Sequence, residues 1–370
     1  MKSLQLSTIT FTLLFTIFSC ASPENPDQMA LEKIDSLFTS LYPANSPGAA
    51  VLLLKGDNII FEKGYGYADM ETKAPATGKT LFCIASISKQ FAAVALMMLQ
   101  EEGKLSLDDN VQKFFPHFKA PIYKEITLRH LLSHTSGIPD ARPRDNRQFL
   151  LTATDEASYA YMEGIKTLNF APGTAYEYMN PTYQLLLTII EGCSGQSFDE
   201  FMRERIFLPS GMSESTYFEA EKAIPNMAHG YRANDEGGYS EYDYGEAGFF
   251  ATKADGGLFT SVEEFVLWER ALRNNTLISA QLKKDAHNVK IIIPYMPHTG
   301  YGYGWFIEEK PDYPKKEFHT GSNGGFRSYA GRFSEQQILY LFFATREAEQ
   351  SVAQIAEKVD LIMKSAGWLE

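Results

Sequence analysis

The chain has 370 residues, enough for one large domain or two, and 44% of them are hydrophobic, so it can bury a sizeable core. Its formal net charge of −12 at pH 7 argues against nucleic acid as a partner, because phosphate binding needs a basic face. The three cysteines and seven histidines are scattered and lack the spacing of a zinc or iron–sulfur site. We therefore expect no metal and no cofactor.

The first twenty residues have the pattern of a targeting segment. An apolar run over residues 9–18 has the length typical of a signal peptide and is too short to span a bilayer as a helix. A serine and Cys20 follow, and this pair resembles the lipobox of bacterial lipoproteins. We expect residues 1–19 to be a signal peptide and Cys20 to carry the lipid that holds the protein to a membrane of the cell envelope. An ordinary secretory signal cleaved near Ala21 is the alternative.

After the signal, residues 20–28 are polar with two prolines and predict a tether. Apolar residues at helical spacing over 29–41 predict an amphipathic helix. The period then changes to that of strands. Two strand-like runs, 48–54 and 58–67, are joined by Lys55-Gly-Asp57, which predicts a β-hairpin.

The next predicted element is a helix that begins at Ser86 and ends near Gly103. Between these two residues there is no glycine or proline, and the stretch over residues 91–99 is apolar on all sides. We therefore expect this helix to be central and buried rather than to lie on the surface.

Residues 104–254 carry mostly helix and turn signals, with long irregular stretches between them. We interpret this region as a helix-rich domain inserted between two halves of a sheet. The predicted helices cover residues 108–115, 127–133, 156–164, 182–192 and 198–206.

Strand signals return in the last part of the chain and are spaced for an antiparallel meander. Together with the early hairpin and the helices at both ends, they predict an α+β fold, with one antiparallel sheet flanked by N- and C-terminal helices. The sheet domain would comprise residues 29–103 and 255–370. The predicted late elements are strands over 301–307, 316–320, 326–333 and 337–343, and a helix over 349–364.

The start of the buried helix carries a candidate catalytic pair. Lys89 follows Ser86 by three residues, which places both side chains on one helix face with roughly 5–6 Å between their Cβ atoms. The first helical turn also offers unpaired backbone N–H groups and the positive end of the helix dipole beside Ser86. Burial would lower the pKa of Lys89 toward the range where its neutral amine can take a proton. A helix cap with a solvated lysine is the alternative for this pattern, which occurs once in the chain.

A second candidate is Tyr178-Met-Asn180, the single Tyr-x-Asn of the sequence. It lies between a turn signal at 171–173 and a helix, and alternate residues of an extended loop point the same way. Tyr178 could be held as phenolate near Lys89 or relay a proton. Asn180 could orient the lysine and bind a substrate amide. A buried tyrosine followed by a helix-capping asparagine is the alternative.

The tripeptide His-Thr-Gly occurs twice, at 298–300 and at 319–321. The first copy lies among prolines and glycines, as in a loop, whereas the second ends a strand-like run. A strand edge there could lie against a substrate, with the N–H of Ser322 acting beside that of Ser86 as an oxyanion donor. We therefore choose the second copy as the substrate-binding segment, which consists of His319, Thr320 and Gly321.

In this order and separation, the three motifs resemble those of the serine β-lactamase and penicillin-binding protein superfamily. The resemblance is to its class C branch, which includes class C β-lactamases, D-alanyl-D-alanine carboxypeptidases, D-aminopeptidases and esterases. It covers roughly residues 30 to 365 and implies the β-lactamase/transpeptidase-like fold. Other segments that resemble the family are 126–138, 170–173, 176–187, 207–212 and 256–261.

The resemblance implies a serine hydrolase that works in two steps. Ser86 would attack a carbonyl to give an acyl-enzyme, with Lys89 and Tyr178 moving the protons and Asn180 positioning the substrate. Water would then release the acyl group. The expected partner is a small-molecule or peptide substrate, namely a D-residue peptide such as the D-Ala-D-Ala type, or a short ester.

Where many members of the superfamily carry Lys-Thr-Gly, this chain carries His319. A neutral imidazole attracts a substrate carboxylate less than an ammonium does, which weakens the alternative of a β-lactamase and leaves it open. Arg327 could supply the missing positive charge or be a solvated residue of the sheet. An alternative from another class is a non-catalytic penicillin-binding or sensor lipoprotein.

Overall fold

The computed structural model describes residues 25–143, 145–146, 149, 152–219, 222–242 and 252–370. The predicted signal peptide and Cys20 lie outside these residues. Across the described ranges, no helix combines the length and the apolar character needed to cross a membrane.

An antiparallel sheet of eight strands organises the described chain. In chain order the strands are β1 (Ala49–Lys55), β2 (Asn58–Tyr65), β3 (Tyr67–Asp69), β4 (Ala74–Pro75), β5 (Phe82–Cys83), β6 (Thr216–Tyr217), β7 (Tyr231–Ala233), β8 (Tyr239–Glu241), β9 (Leu258–Thr260), β10 (Ile291–Ile292), β11 (Thr299–Tyr301), β12 (Phe306–Glu308), β13 (Lys316–Asn323), β14 (Phe326–Phe333) and β15 (Ile338–Ala344). The eight-stranded sheet has the order β10-β11-β12-β13-β14-β15-β1-β2, and a smaller sheet has the order β5-β9-β6.

Helices cover both faces of the large sheet. Short 3₁₀ segments at Ala85–Ser88, Pro121–Lys124 and Ala160–Gly164 and a π-helical segment at Met202–Phe207 accompany them. The α-helices of the described residues are α1 (Pro26–Leu41), α2 (Lys89–Glu101), α3 (Val111–Phe114), α4 (Leu128–Leu132), α5 (Asp155–Tyr159), α6 (Asn180–Ser194), α7 (Phe198–Phe201), α8 (Leu208–Ser210), α9 (Val262–Arg273), α10 (Ala280–Ala286) and α11 (Val352–Ser365).

The sheet closes the chain on itself, because β1 pairs with the C-terminal strand β15, with Ala49 opposite Ala344. Successive side chains of β1 point to opposite faces. Leu52 and its alternates face the core that contains α9 and α2, whereas Val51 and its alternates face the core that contains α1 and α11. Both faces are therefore buried, which explains why this strand is apolar almost throughout. The predicted α+β fold is confirmed.

The central helix is as buried as its sequence predicts, since every residue from Lys89 to Leu99 is buried. Ser86, however, lies in the tighter 3₁₀ turn that precedes it, and the α-helix begins only at Lys89. The first helix also begins earlier than predicted, at Pro26 with Asn25 as its cap, and so includes the end of the segment assigned to the tether.

The strand predicted over 301–307 is wrong as one element. The chain reverses there and forms β11 and β12, because Gly304 takes a left-handed conformation with φ +90° that suits glycine. The backbone at Gly304 also lies close to the first residue of α2, since a Cβ atom at this position would be 3.0 Å from the Lys89 carbonyl oxygen. This reversal brings the β11–β12 hairpin against the start of α2.

Candidate active site

Strands from distant parts of the chain hold the turn that carries Ser86. The N–H of Ile84 donates to the carbonyl of Leu258 at 3.0 Å, and the hydroxyl of Ser328 donates to the carbonyl of Ile84 at 2.7 Å. Ala85 has φ +50°, a left-handed conformation that is costly for a residue with a side chain. Such strain persists only where the surroundings fix it, and here it lies directly before the candidate nucleophile.

Lys89 is fully buried next to Ser86. Its amine donates to the Ser86 hydroxyl at 3.2 Å and to the backbone carbonyl of Asp255 at 2.6 Å. Burial lowers the pKa of Lys89 to about 8; the Asp255 carboxylate opposes this shift and Arg142 adds to it. A substantial fraction of the amine is therefore neutral slightly above neutral pH, as a base for the serine proton requires.

Tyr178 lies over the same amine, with its ring centroid 5.0 Å from the Lys89 nitrogen. Its hydroxyl is buried near the Ser86 hydroxyl and makes no hydrogen bond of full geometry in the described chain. Burial raises the pKa of Tyr178, while the nearby Ser86 hydroxyl lowers it in part. The phenol is therefore neutral at pH 7, so that of the two roles predicted for it, proton relay fits better than a standing phenolate.

His134 fixes the loop that carries Tyr178. Its Nδ1 accepts the N–H of Met179 at 3.1 Å, its carbonyl accepts the N–H of Glu177 at 3.0 Å, and its ring packs 4.2 Å from the Tyr178 ring. Burial and the nearby Lys89 keep the pKa of His134 well below its usual range, so the ring is neutral and able to accept. Sequence reasoning assigned no role to this histidine, although it lies in the segment 126–138 that resembles the family.

Asn180 is the first residue of α6, and its side-chain oxygen is buried with no partner in the described part of the chain. It lines a cavity of about 130 Å³ that Ser86 also lines. The other polar side chains of the wall come from several elements, and they include Arg142, Gln184, Asp255, Ser322 and Asn323.

His319 does not line this cavity. Its Nδ1–H donates to the Thr320 carbonyl at 2.7 Å, so its Nε2 accepts the Tyr301 hydroxyl at 3.0 Å. Burial and the positive charge of Lys89 lower the pKa of His319 to about 3. The imidazole is therefore neutral and bound within the protein, and it offers no positive charge to a ligand. The other copy of the motif lies apart, with His298 exposed in a loop.

Gly321 allows β13 to approach the Ser86 turn. A Cβ atom there would lie 2.1 Å from the Ser328 hydroxyl oxygen and 2.2 Å from the Ile84 carbonyl oxygen. Neither Gly321 nor Thr320 lines the cavity, and this strand reaches the cavity wall through Ser322 and Asn323. The structure thus brings the predicted oxyanion donors, Ser86 and Ser322, to one cavity.

The edge of β13 beside the cavity is open. Its pairing with β12 ends at Phe318 opposite Phe306, so residues 319–323 have no strand partner on that side within the described ranges. Backbone groups of such an edge can pair with an extended ligand.

Arg327 is turned away from this site. Its guanidinium donates to Glu347 at 3.0 Å and to the Phe326 carbonyl at 2.8 Å, and it does not line the cavity. In the part of the chain that the structure describes, no group of three or more histidine, cysteine or acidic side chains could hold a metal ion.

Known proteins share this architecture. The family model described as Beta-lactamase matches residues 34–363. The chain is 28% identical over 353 residues to penicillin-binding protein 4* of Bacillus subtilis (strain 168), an alignment that covers 88% of this chain and 75% of that protein.

Solved structures agree with the sequence relatives. The octameric penicillin-binding protein homologue from Pyrococcus abyssi matches with a TM-score of 0.79 and 29% identity, covering 91% of this chain and 77% of that one. The D-amino acid amidase from Ochrobactrum anthropi SV3 has the same fold, with a TM-score of 0.76, 22% identity, and coverage of 93% and 98%. Since the family match covers most of the chain, this chain belongs to the Beta-lactamase family and is a serine hydrolase with the β-lactamase fold.

Proposed function

We propose that this chain hydrolyses a peptide amide or an ester through an acyl-enzyme on Ser86. The observation that carries the proposal is the hydrogen bond between the fully buried Lys89 amine and the Ser86 hydroxyl. The lowered pKa of this lysine, about 8, suits a group that must exchange a proton near neutral pH. A binding protein without catalysis would have no need of a fully buried lysine that makes no hydrogen bond to a carboxylate.

In the first step the Ser86 oxygen bonds to the substrate carbonyl carbon, and the neutral Lys89 amine takes the serine proton. The Tyr178 phenol passes a proton to the leaving nitrogen or oxygen as its bond to the carbonyl carbon breaks, and regains one from Lys89. The backbone N–H groups of Ser86 and Ser322 bind the oxyanion. In the second step the oxygen of water bonds to the carbonyl carbon of the acyl-enzyme and its proton passes to the same pair of groups. As the bond between that carbon and the Ser86 oxygen breaks, the pair returns the proton to the serine, and the acid is released.

The charges around the cavity favour substrates that need no carboxylate recognition. His319 is neutral and bound to Tyr301, and Arg327 is paired with Glu347. The Arg142 guanidinium lines the cavity, but both its Nε and one terminal nitrogen donate to Asp140 at 2.8–2.9 Å. A short ester or a D-residue amide is therefore preferred over a β-lactam or a peptide ending in a carboxylate, both of which carry a carboxylate beside the reacting bond.

The test is a substrate panel of short acyl p-nitrophenyl esters, D-alanine p-nitroanilide, a D-Ala-D-Ala peptide and nitrocefin, with wild type and Ser86→Ala. We expect ester and anilide turnover that the variant loses, and weak nitrocefin turnover. A fluorophosphonate should label the tryptic peptide that contains Ser86. Equal turnover by Ser86→Ala, or a folded wild type that neither turns over any substrate nor takes the label, would contradict the proposal.

Membrane attachment is part of the same proposal. The apolar run over 9–18 followed by Ser19-Cys20 supports lipidation of Cys20 in the cell envelope. Expressed in a bacterial host, wild type should partition into the membrane fraction and incorporate labelled palmitate. The Cys20→Ser variant should do neither. Recovery of both proteins in the soluble fraction, with no palmitate in either, would argue for an ordinary secretory signal.

A further inference from the structure

The carboxylate of Asp255 is an unused acceptor in the wall of the candidate active site. Asp255 is 6% exposed and lines the same cavity as Ser86. Its backbone carbonyl binds the Lys89 amine at 2.6 Å, but its side-chain Oδ1 is buried and has no hydrogen-bond partner in the described residues. Leaving a buried carboxylate oxygen without a donor is costly, so this oxygen favours a ligand group that donates a hydrogen bond to it.

Two neighbouring side chains of the wall present the same pattern. The Oδ1 of Asn180 and the Oε1 of Gln184 are buried and unpartnered within the described ranges. A carboxamide can turn over and present its nitrogen instead. A carboxylate cannot, and Asp255 therefore decides which ligand chemistry the wall accepts, namely a group that donates hydrogen bonds.

The described cations nearby are committed elsewhere. Arg142 is held by Asp140, and the Lys89 amine is directed to the Asp255 carbonyl and to Ser86. The neighbouring Asp155 accepts the N–H groups of Lys253 and Ala254, and burial, followed by the charge of Asp255, raises its pKa. The Asp255 carboxylate acts on Lys89 through its charge, but no hydrogen bond from these side chains reaches its Oδ1, so this oxygen is available to accept one from a cationic group of the ligand.

The size of the cavity limits where that cation can be. A space of about 130 Å³ holds a group of roughly the size of one amino-acid residue. A ligand whose carbonyl carbon lies at Ser86 must therefore carry its positive group within a few bonds of that carbonyl.

We propose that Asp255 binds the ammonium group of the substrate, so that the preferred substrates are amides or esters of amino acids or peptides whose free amino group lies next to the scissile carbonyl. This assignment rests on the proposed function of Ser86. It makes Asp255 a specificity-determining residue, in addition to the part its backbone carbonyl plays in holding Lys89.

The test compares substrates that differ only in the amino group: alanine p-nitroanilide, as each enantiomer, and propionyl p-nitroanilide. Wild type should prefer one of the amino substrates by about tenfold or more in kcat/KM, the range expected for a hydrogen-bonded charge. N-acetylation of that substrate should abolish the preference. In Asp255→Asn the ratio of amino to propionyl substrate should fall about tenfold, mainly through KM.

The matched control is Asp108→Asn, which removes the same charge from an exposed surface carboxylate and should keep the wild-type ratio. Fluorophosphonate labelling of Asp255→Asn reports whether its site is still formed. If that variant does not fold, the comparison of amino, acetylated and propionyl substrates in wild type alone decides the matter.

Equal kcat/KM for the amino and propionyl substrates in wild type, or an unchanged ratio in folded Asp255→Asn, would overturn the assignment. Ser86-dependent turnover of the propionyl substrate would then leave the proposed function intact. Absence of all turnover and of serine labelling in folded wild type would overturn both.

Discussion

Two buried lysines in different parts of the molecule have pKa values that are shifted in opposite directions from the ordinary value. Lys89, beside Ser86, donates to a hydroxyl and a backbone carbonyl, and its pKa is lowered to about 8. Lys316, on β13, donates to Asp360 at 2.7 Å and also lies 2.9 Å from Glu308. Burial would lower the pKa of Lys316 too, but it is outweighed by Tyr329 and the two carboxylates, which raise the pKa above its usual range.

The comparison shows that burial by itself does not decide what a lysine does. Where carboxylates share the burial, the ammonium is a structural ion; where only neutral oxygens accept its hydrogen bonds, the amine loses its proton more easily. The strand β13 separates the two regions, because successive side chains alternate in direction. Phe318, two residues after Lys316, packs with α1 and α11, whereas Gly321 faces the Ser86 turn.

The largest expected effect is on catalysis at the first lysine. Lys89→Met should lower kcat/KM for a short p-nitrophenyl ester by about 10²–10⁴-fold, as expected for loss of a proton-transfer group. Its free energy of unfolding in urea should be unchanged or higher, because the change removes a buried amine that has no carboxylate partner. A rate within tenfold of wild type would mean that another group takes the Ser86 proton.

At the second lysine the effect should be on stability. Lys316→Met leaves Asp360 and Glu308 buried without their cation and should lower the free energy of unfolding by about 3–5 kcal/mol, while folded protein keeps kcat/KM within about threefold. The control is Lys63→Met, which removes a pair with Asp35 whose side chains are 45% and 38% exposed and should cost less than about 1 kcal/mol. If Lys316→Met and Lys63→Met lost equal free energies of unfolding, the buried ion pair would contribute no more to stability than the exposed one.

The pH dependence of activity should show whether Lys89 or another group takes the serine proton. Because only the neutral amine can take the serine proton, kcat/KM should rise about tenfold per pH unit below the pKa of Lys89 and level off above about pH 8. Asp255, Arg142 and Tyr178 face the amine and are unaltered in this experiment. His319, with a pKa of about 3, should contribute no step between pH 5 and 7, and a rise centred near pH 6 would show that a group other than Lys89 takes the serine proton.

Stability should respond to pH in opposite directions at the two lysines. The pKa of Lys89 is lower in the folded protein than its unfolded value of about 10.4, so its burial penalty is full below pH 8 and fades between about pH 8 and 10.4. The stability difference between wild type and Lys89→Met should therefore narrow over that interval. For Lys316 the folded pKa is raised, so its contribution is full below about pH 10.4 and is lost as the pH rises further. Urea unfolding at pH 7 and pH 10 should therefore show a smaller stability difference between wild type and Lys89→Met at pH 10, and the same difference between wild type and Lys316→Met at both pH values.

The smallest expected effect lies on the catalytic side of β13. Gly321→Ala places a methyl group against Ser328 and the Ile84 carbonyl, and it should cost about 1–3 kcal/mol through overpacking and lower kcat/KM by displacing the Ser86 turn. Gly192→Ala, in α6 with no atom within 4 Å of the new Cβ, should be neutral or stabilise by up to about 1 kcal/mol. If the two variants have the same stability and the same kcat/KM, β13 at Gly321 is not tightly packed against the Ser86 turn.

Sequence reasoning located the elements whose pattern is local. The hairpin of β1 and β2 and the strand β14, predicted over 326–333, form where the strand-like runs and the turn signal of the sequence place them. The spacing of Ser86 and Lys89 needed no tertiary information, since three residues of helical chain bring the side chains together wherever the helix lies. Apolar residues on all sides of α2 likewise determined that this helix is buried.

The tertiary structure decided the partners of these residues. The Asp255 carbonyl reaches Lys89 from 166 residues away in the sequence, and His134 holds the Tyr178 loop across 45 residues. The same holds for His319, a predicted substrate-binding residue, whose Nε2 meets the Tyr301 hydroxyl from another strand. Hydrophobic periodicity encodes which face of an element is buried, but it does not encode which distant polar group meets that face. Desolvation and hydrogen bonding by those distant groups set the pKa of a buried side chain. The sequence alone therefore named the candidate residues, whereas the folded chain determined their protonation and their surroundings.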